Sequence, residues 1–468
     1  MKKRFRYIYI ALLVVSMVFA ENSLLGAWGF LDSYGATPVT TPVPQIEAQA
    51  GVLIDAKTGA VLYNKNMDVP MEPASTTKMI TGLLAIEKLP MDKVVTIDKE
   101  TSFTEGSRIY LLEGEKITVE NLLYALFLES ANDAAVALAK EMGGSVSDFA
   151  TMMNQRAAET GAVNTSFKNP NGLHLDGHLT TAYDLAMIAK TAMTNPKFRH
   201  FVKTYKHVIP ATNMQEERNM YNTNRLLYDN KTQVTANGVL RTCKYSGVTG
   251  IKTGYTSHAG GCLVAGAKRG DTELISVVLK SSDKGRFGDS IALLDWGFEN
   301  YATVQTARKG DEMGTMKVKK GSQGEVKLVA ASDGFATLPK SMKAADLTKV
   351  TKMEETLEAP FEKGQKAGAL DFFYGENVVS SVQIVTAEAV DEGGCLAAVK
   401  RLGAKGLLAV AAGIFAGLVA LGACGILTAR HVNMKKRARR RAERAMQIAM
   451  ERELERLERN KERYKNKW

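Results

Sequence analysis

The sequence predicts an α/β domain whose two ends pair in one antiparallel sheet, followed by a small all-β domain and a C-terminal transmembrane helix. Three observations carry this: strand patterns at residues 52–63 and again near 250–280, helical periodicity between them, and a long uncharged run near the C-terminus. At 468 residues the chain is too long for one compact core, so more than one domain is expected.

Residues 1–20 begin with Lys2, Lys3, Arg4 and Arg6, continue through an apolar run from Tyr7 to Phe19, and end on small residues around Val18 and Ala20. That is the form of a secretory signal, since the apolar run is short for a bilayer span. Residues 21–49 read as a linker in which Pro38, Pro42 and Pro44 favour extended chain over helix. The first domain is placed at 50–300. It opens with a hairpin, Val52–Ile54 and Val61–Tyr63, around the turn Asp55-Ala56-Lys57-Thr58-Gly59. Helical spacing follows in Met79, Leu83 and Ile86, then in Leu122, Leu126 and Leu138. Residues 250–255, 262–267 and 272–280, divided by glycine-containing turns, read as an antiparallel meander, and a helix holding Leu293, Leu294 and Trp296 closes the domain.

From 301 to 388 short strands and turns predict the all-β domain, with strands at 325–330, 367–373 and 378–385. A juxtamembrane stretch, 389–405, leads to an uncharged span at 406–429. Arg430, Lys435, Lys436, Arg437, Arg439, Arg440 and Arg441 follow at once, a positive-inside flank that makes 430–468 a cytoplasmic tail beside anionic lipid. The formal charge of +11 sits at the two ends. From Arg430 onward there are 15 basic and 6 acidic residues, and the remainder between the ends is close to neutral, so no nucleic-acid partner is expected.

Four cysteines, Cys243, Cys262, Cys395 and Cys424, lack metal-ligand spacing. Cys243 and Cys262 flank a hairpin and are read either as a pair or as two free thiols. His174 and His178 bracket Asp176, but Gly172 and Gly177 break any helix there, so the three are not read as a metal site. His258 is read as a polar loop residue and Arg269-Gly270-Asp271 as a hairpin turn. No cofactor or metal is expected.

The chemistry is concentrated in three short motifs. Ser75-Thr76-Thr77-Lys78 opens a helix, and a serine and lysine three apart stand on one face, one turn from each other. A lysine whose ammonium is destabilised can take the serine proton. The spacing alone is weak, because Ser281-Ser282-Asp283-Lys284 repeats it and a capping serine before a surface lysine is common. Ser130-Ala131-Asn132 falls between helical segments, where a turn aims both side chains into a cleft. Lys252-Thr253-Gly254 lies on a strand whose edge can bind an extended peptide. Lys57-Thr58-Gly59 copies it, but precedes the serine and occupies a hairpin turn. Helix start, interhelical turn and strand, in that order, match the motif set of β-lactamases and penicillin-binding proteins.

With these residues in hand, together with 128–134, 250–256, Asp295-Trp296-Gly297-Phe298 and Lys363-Gly364-Gln365, the chain resembles the low-molecular-mass penicillin-binding proteins that act as D-alanyl-D-alanine carboxypeptidases. The resemblance runs from about Ala50 to Glu388. It implies a β-lactamase/transpeptidase-like fold with a helical subdomain, and a membrane-anchored serine carboxypeptidase whose catalytic domain is extracytoplasmic. Its substrates would be peptidoglycan stem peptides ending in D-Ala-D-Ala, its inhibitors β-lactams, and its context cell-wall biogenesis and cell shape. By the same resemblance Ser75 is the nucleophile, Lys78 its base and Ser130 a proton relay. Asn132, Lys252, Thr253 and Gly254 hold substrate, Tyr255 with Ser75 forms the oxyanion hole, and Arg225 and Arg286 stand near the substrate carboxylate. Two departures are evident: a bilayer span where the family usually ends in a surface helix, and a long segment from Tyr228 to Val248. Two other functions share the motifs. A β-lactamase would need a deacylating carboxylate, and no Glu-x-x-Leu-Asn lies between Ser130 and Lys252. A non-catalytic wall-binding scaffold would not need an activated serine.

Overall fold

The computed structural model describes residues 41–394 and 403–465. The signal segment, the linker through residue 40, residues 395–402 and Cys395 lie outside the described residues.

The described chain divides into two compact units. The first, which holds residues up to 314 together with 327–354 and 364–387, is built on a five-stranded antiparallel sheet. Strands β1 (Ala50–Asp55) and β2 (Val61–Lys65) form the expected hairpin. The helices follow: α1 (Lys78–Lys88), α2 (Val119–Tyr124), α3 (Asn132–Gly143), α4 (Val146–Glu159), α5 (Ala182–Ala192) and α6 (Pro196–Lys203). The meander β3 (Val248–Thr256), β4 (Gly260–Arg269) and β5 (Thr272–Ser281) then returns, and α7 (Gly285–Asn300) closes it. The sheet order is β2-β1-β5-β4-β3. Residues from opposite ends of the domain therefore pair, Val52 with Val277 for example, and β3 is left as an edge.

Alternation along the strands explains how one sheet separates two cores. Val52, Ile54, Val264, Ile275 and Val277 face the helices and pack with Met79, Leu83, Phe127 and Leu185. Their neighbours Leu53, Leu263, Leu274 and Val278 face the other way, against Phe287, Leu294 and Trp296 of α7. Each fully buried aliphatic or aromatic side chain contributes about 1.5–3 kcal/mol. The segment 228–248 is folded as a hairpin, Gln233–Ala236 with Val239–Thr242. It packs on α7 at Gly288, where an added Cβ would meet the Thr235 carbonyl oxygen. Cys243 and Cys262 are free, buried thiols, and burial pushes them up to about 12 and about 11.

The strand Tyr301–Ala307 belongs to this first unit and pairs with Gly334–Pro339. Asp55, fully buried, accepts from the backbone N–H groups of Lys57 and Thr58 and from the Thr303 hydroxyl. Thr58 Oγ1 lies 2.6 Å from Thr337 Oγ1, and the Lys57 ammonium stands 3.2 Å over the Phe335 ring. The second Lys-Thr-Gly copy thus serves a turn that docks on later strands. Thr348–Met353, Lys366–Tyr374 and Asn377–Thr386 continue the unit as an antiparallel ladder.

The second unit holds residues 315–326, 355–363 and the chain from 388 onward. Within it Lys317–Lys319 pair in parallel with Thr356–Glu358. Its dominant element is one helix, α8 (Gly403–Lys465), about 95 Å long at ~1.5 Å per residue. Its apolar part reaches a mean hydropathy of 2.3 over 18 residues, which makes the helix long and apolar enough to anchor the protein in a membrane. The expected span and the basic tail as far as Lys465 are therefore one uninterrupted helix.

A chain ending before Gly403 should leave the membrane pellet for the soluble fraction on cell fractionation. Persistence in the pellet would place the anchor elsewhere.

Candidate active site

The start of α1 is shaped by its own hydroxyls. The Thr76 and Thr77 hydroxyls donate back to the carbonyls of Pro73 and Ala74 at 2.7 and 2.8 Å. Ala74 sits at φ +47°, a left-handed conformation that costs a non-glycine residue about 1–3 kcal/mol and is found where surrounding structure enforces it. The short 3₁₀ turn Ala74–Thr77 then hands over to α1, with Ser75 partly exposed and Lys78 fully buried.

Lys78 Nζ lies 2.9 Å from Ser75 Oγ. It donates to Asn132 Oδ1 and to the Asn171 carbonyl oxygen, each at 2.6 Å. Burial, and then the nearby charge of Lys252, hold its ammonium well below the usual lysine range, against the opposing pull of Asp133. A neutral amine has two hydrogens and one lone pair. Asn132 Oδ1 and the Asn171 carbonyl can only accept, so they take the hydrogens and leave the lone pair to the Ser75 hydroxyl.

Ser130 ends a π-helical turn, Ala125–Glu129, and takes φ +58°. π-turns within helices often mark functional positions. Here the turn is followed directly by Asn132 at the start of α3. Lys252 Nζ donates to Ser130 Oγ at 3.0 Å and to the Thr253 carbonyl at 3.1 Å. Burial first, and Arg286 second, lower Lys252 to about 7. Thr253 Oγ1 lies 2.7 Å from Thr223 Oγ1. Gly254 lets the strand pass against the helix start: a Cβ there would stand 3.1 Å from Ser75 N and from the Pro73 oxygen. Tyr255 is 60% exposed, at the end of the edge strand.

The structure thus brings Ser75, Lys78, Ser130, Asn132 and the Lys252–Tyr255 strand into one cleft. It gives the arginines different surroundings. Arg286 is buried, donates from Nη1 to the Gly254 carbonyl at 2.7 Å and from Nη2 to Asp283, so it braces the strand from behind. Arg225 is 39% exposed at its side chain, with Nε 4.0 Å from Asp229. Asn132 commits both ends of its amide to the protein, since Nδ2 donates to the Glu105 carbonyl at 2.7 Å.

The profile of the D-alanyl-D-alanine carboxypeptidase family matches residues 37–283, more than half of the chain. This chain belongs to that family. The C-terminal domain of penicillin-binding protein 5 matches residues 301–392. The Bacillus subtilis D-alanyl-D-alanine carboxypeptidase DacF is 35% identical over 361 residues, covering 76% of this chain and 89% of its own. Escherichia coli DacA is 31% identical, covering 75% and 85%. Among solved structures, penicillin binding protein 5 from Haemophilus influenzae superposes with a TM-score of 0.64 at 32% identity, covering 75% of this chain and 99% of its own.

Two contacts in the carboxypeptidase site have no motif to announce them. Thr223 reaches Thr253 from a separate segment, and Asn171 acts through its backbone carbonyl, which any residue type supplies. The loop that carries Asn171 is locked in place by His178, whose Nε2 lies 2.9 Å from Thr77 Oγ1 while Nδ1 accepts from Lys168 N at 3.0 Å. Burial, followed by nearby Lys168, lowers His178 to about 4, so it is neutral at physiological pH. Both ring nitrogens are thereby occupied, which separates it from His174.

Gly172, at φ +86°, closes the same loop against the nucleophile turn: a Cβ there would stand 1.8 Å from the Ala74 carbonyl oxygen. Gly172→Ala should therefore cost at least about 2 kcal/mol in denaturant unfolding, by backbone strain and overpacking. It should also slow acylation by a labelled penicillin, because Ala74 and Asn171 must both shift. Unchanged stability and acylation would contradict this packing.

Proposed function

We propose that this carboxypeptidase removes the terminal D-alanine from peptidoglycan stem peptides through an acyl-enzyme on Ser75, on the extracytoplasmic face of the membrane that α8 enters. The reading rests above all on the 2.9 Å approach of a buried, neutral-leaning lysine to a serine hydroxyl.

The substrate would extend along the free edge of β3, with its terminal carboxylate near Lys252 and Thr253. Ser75 Oγ attacks the carbonyl carbon of the penultimate residue and passes its proton to Lys78 Nζ. Backbone N–H groups of Ser75 and Tyr255 receive the negative oxygen, an interaction worth about 3–4 kcal/mol per donor in comparable sites. Ser130, held by Lys252, delivers a proton to the departing D-alanine nitrogen as the C–N bond breaks and regains one from the Lys78 ammonium, and water then cleaves the ester. Penicillins, which mimic the D-Ala-D-Ala terminus, would acylate the same oxygen. Arg286 acts as a positioning residue through the Gly254 carbonyl. The basic flank after residue 429 favours a cytoplasmic tail.

Against a β-lactamase, the loop Asn169–Leu173 offers Lys78 a carbonyl where rapid deacylation needs a carboxylate. Against a scaffold, burying a lysine beside a hydroxyl with no carboxylate hydrogen-bonded to its amine has a desolvation cost that simple peptide retention does not require.

Mass spectrometry after mixing with a labelled penicillin should find one long-lived adduct on the peptide containing Ser75, and none in Ser75→Ala. A D-Ala-D-Ala peptide should release free D-alanine. Fast turnover of the penicillin would favour a β-lactamase, and an unmodified Ser75 would end this reading.

The two lysines set the pH profile. Deprotonation of Lys78, which burial and Lys252 hold well below the usual lysine range, raises kcat/KM; loss of the Lys252 cation, lowered by burial to about 7, weakens carboxylate binding and makes kcat/KM fall. Lys252→Arg keeps the cation. Its falling limb should move up by at least about one pH unit, even if the maximum drops. An unmoved limb would assign it to another group.

A further inference from the structure

One side-chain cluster beside the cleft belongs to none of the contacts above. Glu72, His174 and His258 come from three separate segments: the strand of chain leading into Pro73, the loop beyond Asn171, and the turn between β3 and β4. One ligand atom from each lies within 4.8 Å of the others. His174 Nδ1 stands 2.9 Å from Glu72 Oε1, and the two imidazoles stack with centroids 4.1 Å apart at 24°. Glu72 is half-buried and both histidines are exposed. A recess of about 340 Å³, lined by Met71, Glu72, Leu179 and His258 among others, opens beside them.

We propose that this cluster is a binding site for a divalent transition-metal ion of the zinc type. Two imidazoles and a carboxylate are a donor set such ions take with one or more positions left to water. The stacked rings keep one nitrogen of each histidine within 4.8 Å of the Glu72 carboxylate, which supplies the compensating charge. Metal–ligand bonds of ~2.0–2.2 Å set ligand atoms about 3.3–3.5 Å apart, so small rotations of exposed side chains close the set from its present spacing. The recess leaves room for the remaining water. His178 takes no part, because both of its nitrogens are engaged.

A bound ion would join the segment leading into Ser75 to the β3–β4 turn and to the loop carrying Asn171. It would therefore stiffen one wall of the cleft from outside without touching the reacting atoms. Binding should weaken as pH falls, since the imidazoles must give up any proton to coordinate. The inference stands on the cluster alone and does not depend on the chemistry proposed for Ser75.

The test uses the full chain, free of any affinity tag, in detergent, titrated with Co²⁺ alone and followed by visible d–d absorption. One Co²⁺ per chain is expected, displaced by Zn²⁺. His174→Ala, His258→Ala and Glu72→Gln should each weaken binding at least about tenfold, while their thermal unfolding in chelator matches the parent protein. If an alanine variant fails to fold, His258→Asn carries the same comparison. Absence of saturable Co²⁺ binding, or equal binding by the histidine variants, overturns the proposal.

Discussion

The site depends on one constraint: a lysine side chain held out of water with only neutral oxygens as hydrogen-bond partners among the described residues. In water Lys78 would keep its proton and have no reason to accept another. Buried next to Lys252, its charged form loses solvation and gains repulsion, and both effects favour the neutral amine. Much of the surrounding structure maintains that arrangement. Asn132 and the Asn171 carbonyl consume the amine hydrogens. Asp133, the nearby carboxylate, is tied to the backbone N–H groups of Ile109, Leu111 and Ala134 rather than to either lysine. Burial raises its own pKa, which limits how strongly it can pull a proton back onto Lys78.

The topology explains why these groups can meet. Pairing the first strand with the last places the helix after β2 under the meander, so Gly254 of the edge strand lies against the turn holding Ser75. Two non-glycine residues, Ala74 and Ser130, take left-handed backbone at the points where the chain must aim a hydroxyl into the cleft. Neither conformation is favourable locally. Each is held by its neighbours: the Thr77 hydroxyl donates to the Ala74 carbonyl, and Lys252 donates to Ser130. At these two points local strain accompanies a geometry that has to be specific.

How much of this could be read beforehand follows the range of each interaction. The hairpin, the meander and α7 are legible because alternation and helical spacing are local signals, and the same holds for the long apolar C-terminal helix, whose length and uncharged stretch are visible without any fold. The three motifs are legible because they require particular side chains in fixed local settings. The Asn171 carbonyl and the Thr223 hydroxyl are not, since one needs no particular residue and the other depends on which segments pack together. The bracing role of Arg286 is likewise hidden, as its partner is a backbone oxygen 32 residues away. His174 shows a further limit: its sequence neighbour His178 is committed to the fold, and its spatial partners Glu72 and His258 are distant in the chain.

The central claim, that Lys78 is neutral when it meets Ser75, can be measured directly. In protein carrying ¹⁵N-labelled lysine, the Lys78 amine resonance, assigned by its loss in Lys78→Arg, can be followed through a pH titration by nuclear magnetic resonance. The account predicts a midpoint well below that of the exposed lysines and an upward shift when Lys252 is replaced by methionine. A Lys78 that stays protonated through the titration of the exposed lysines would contradict it.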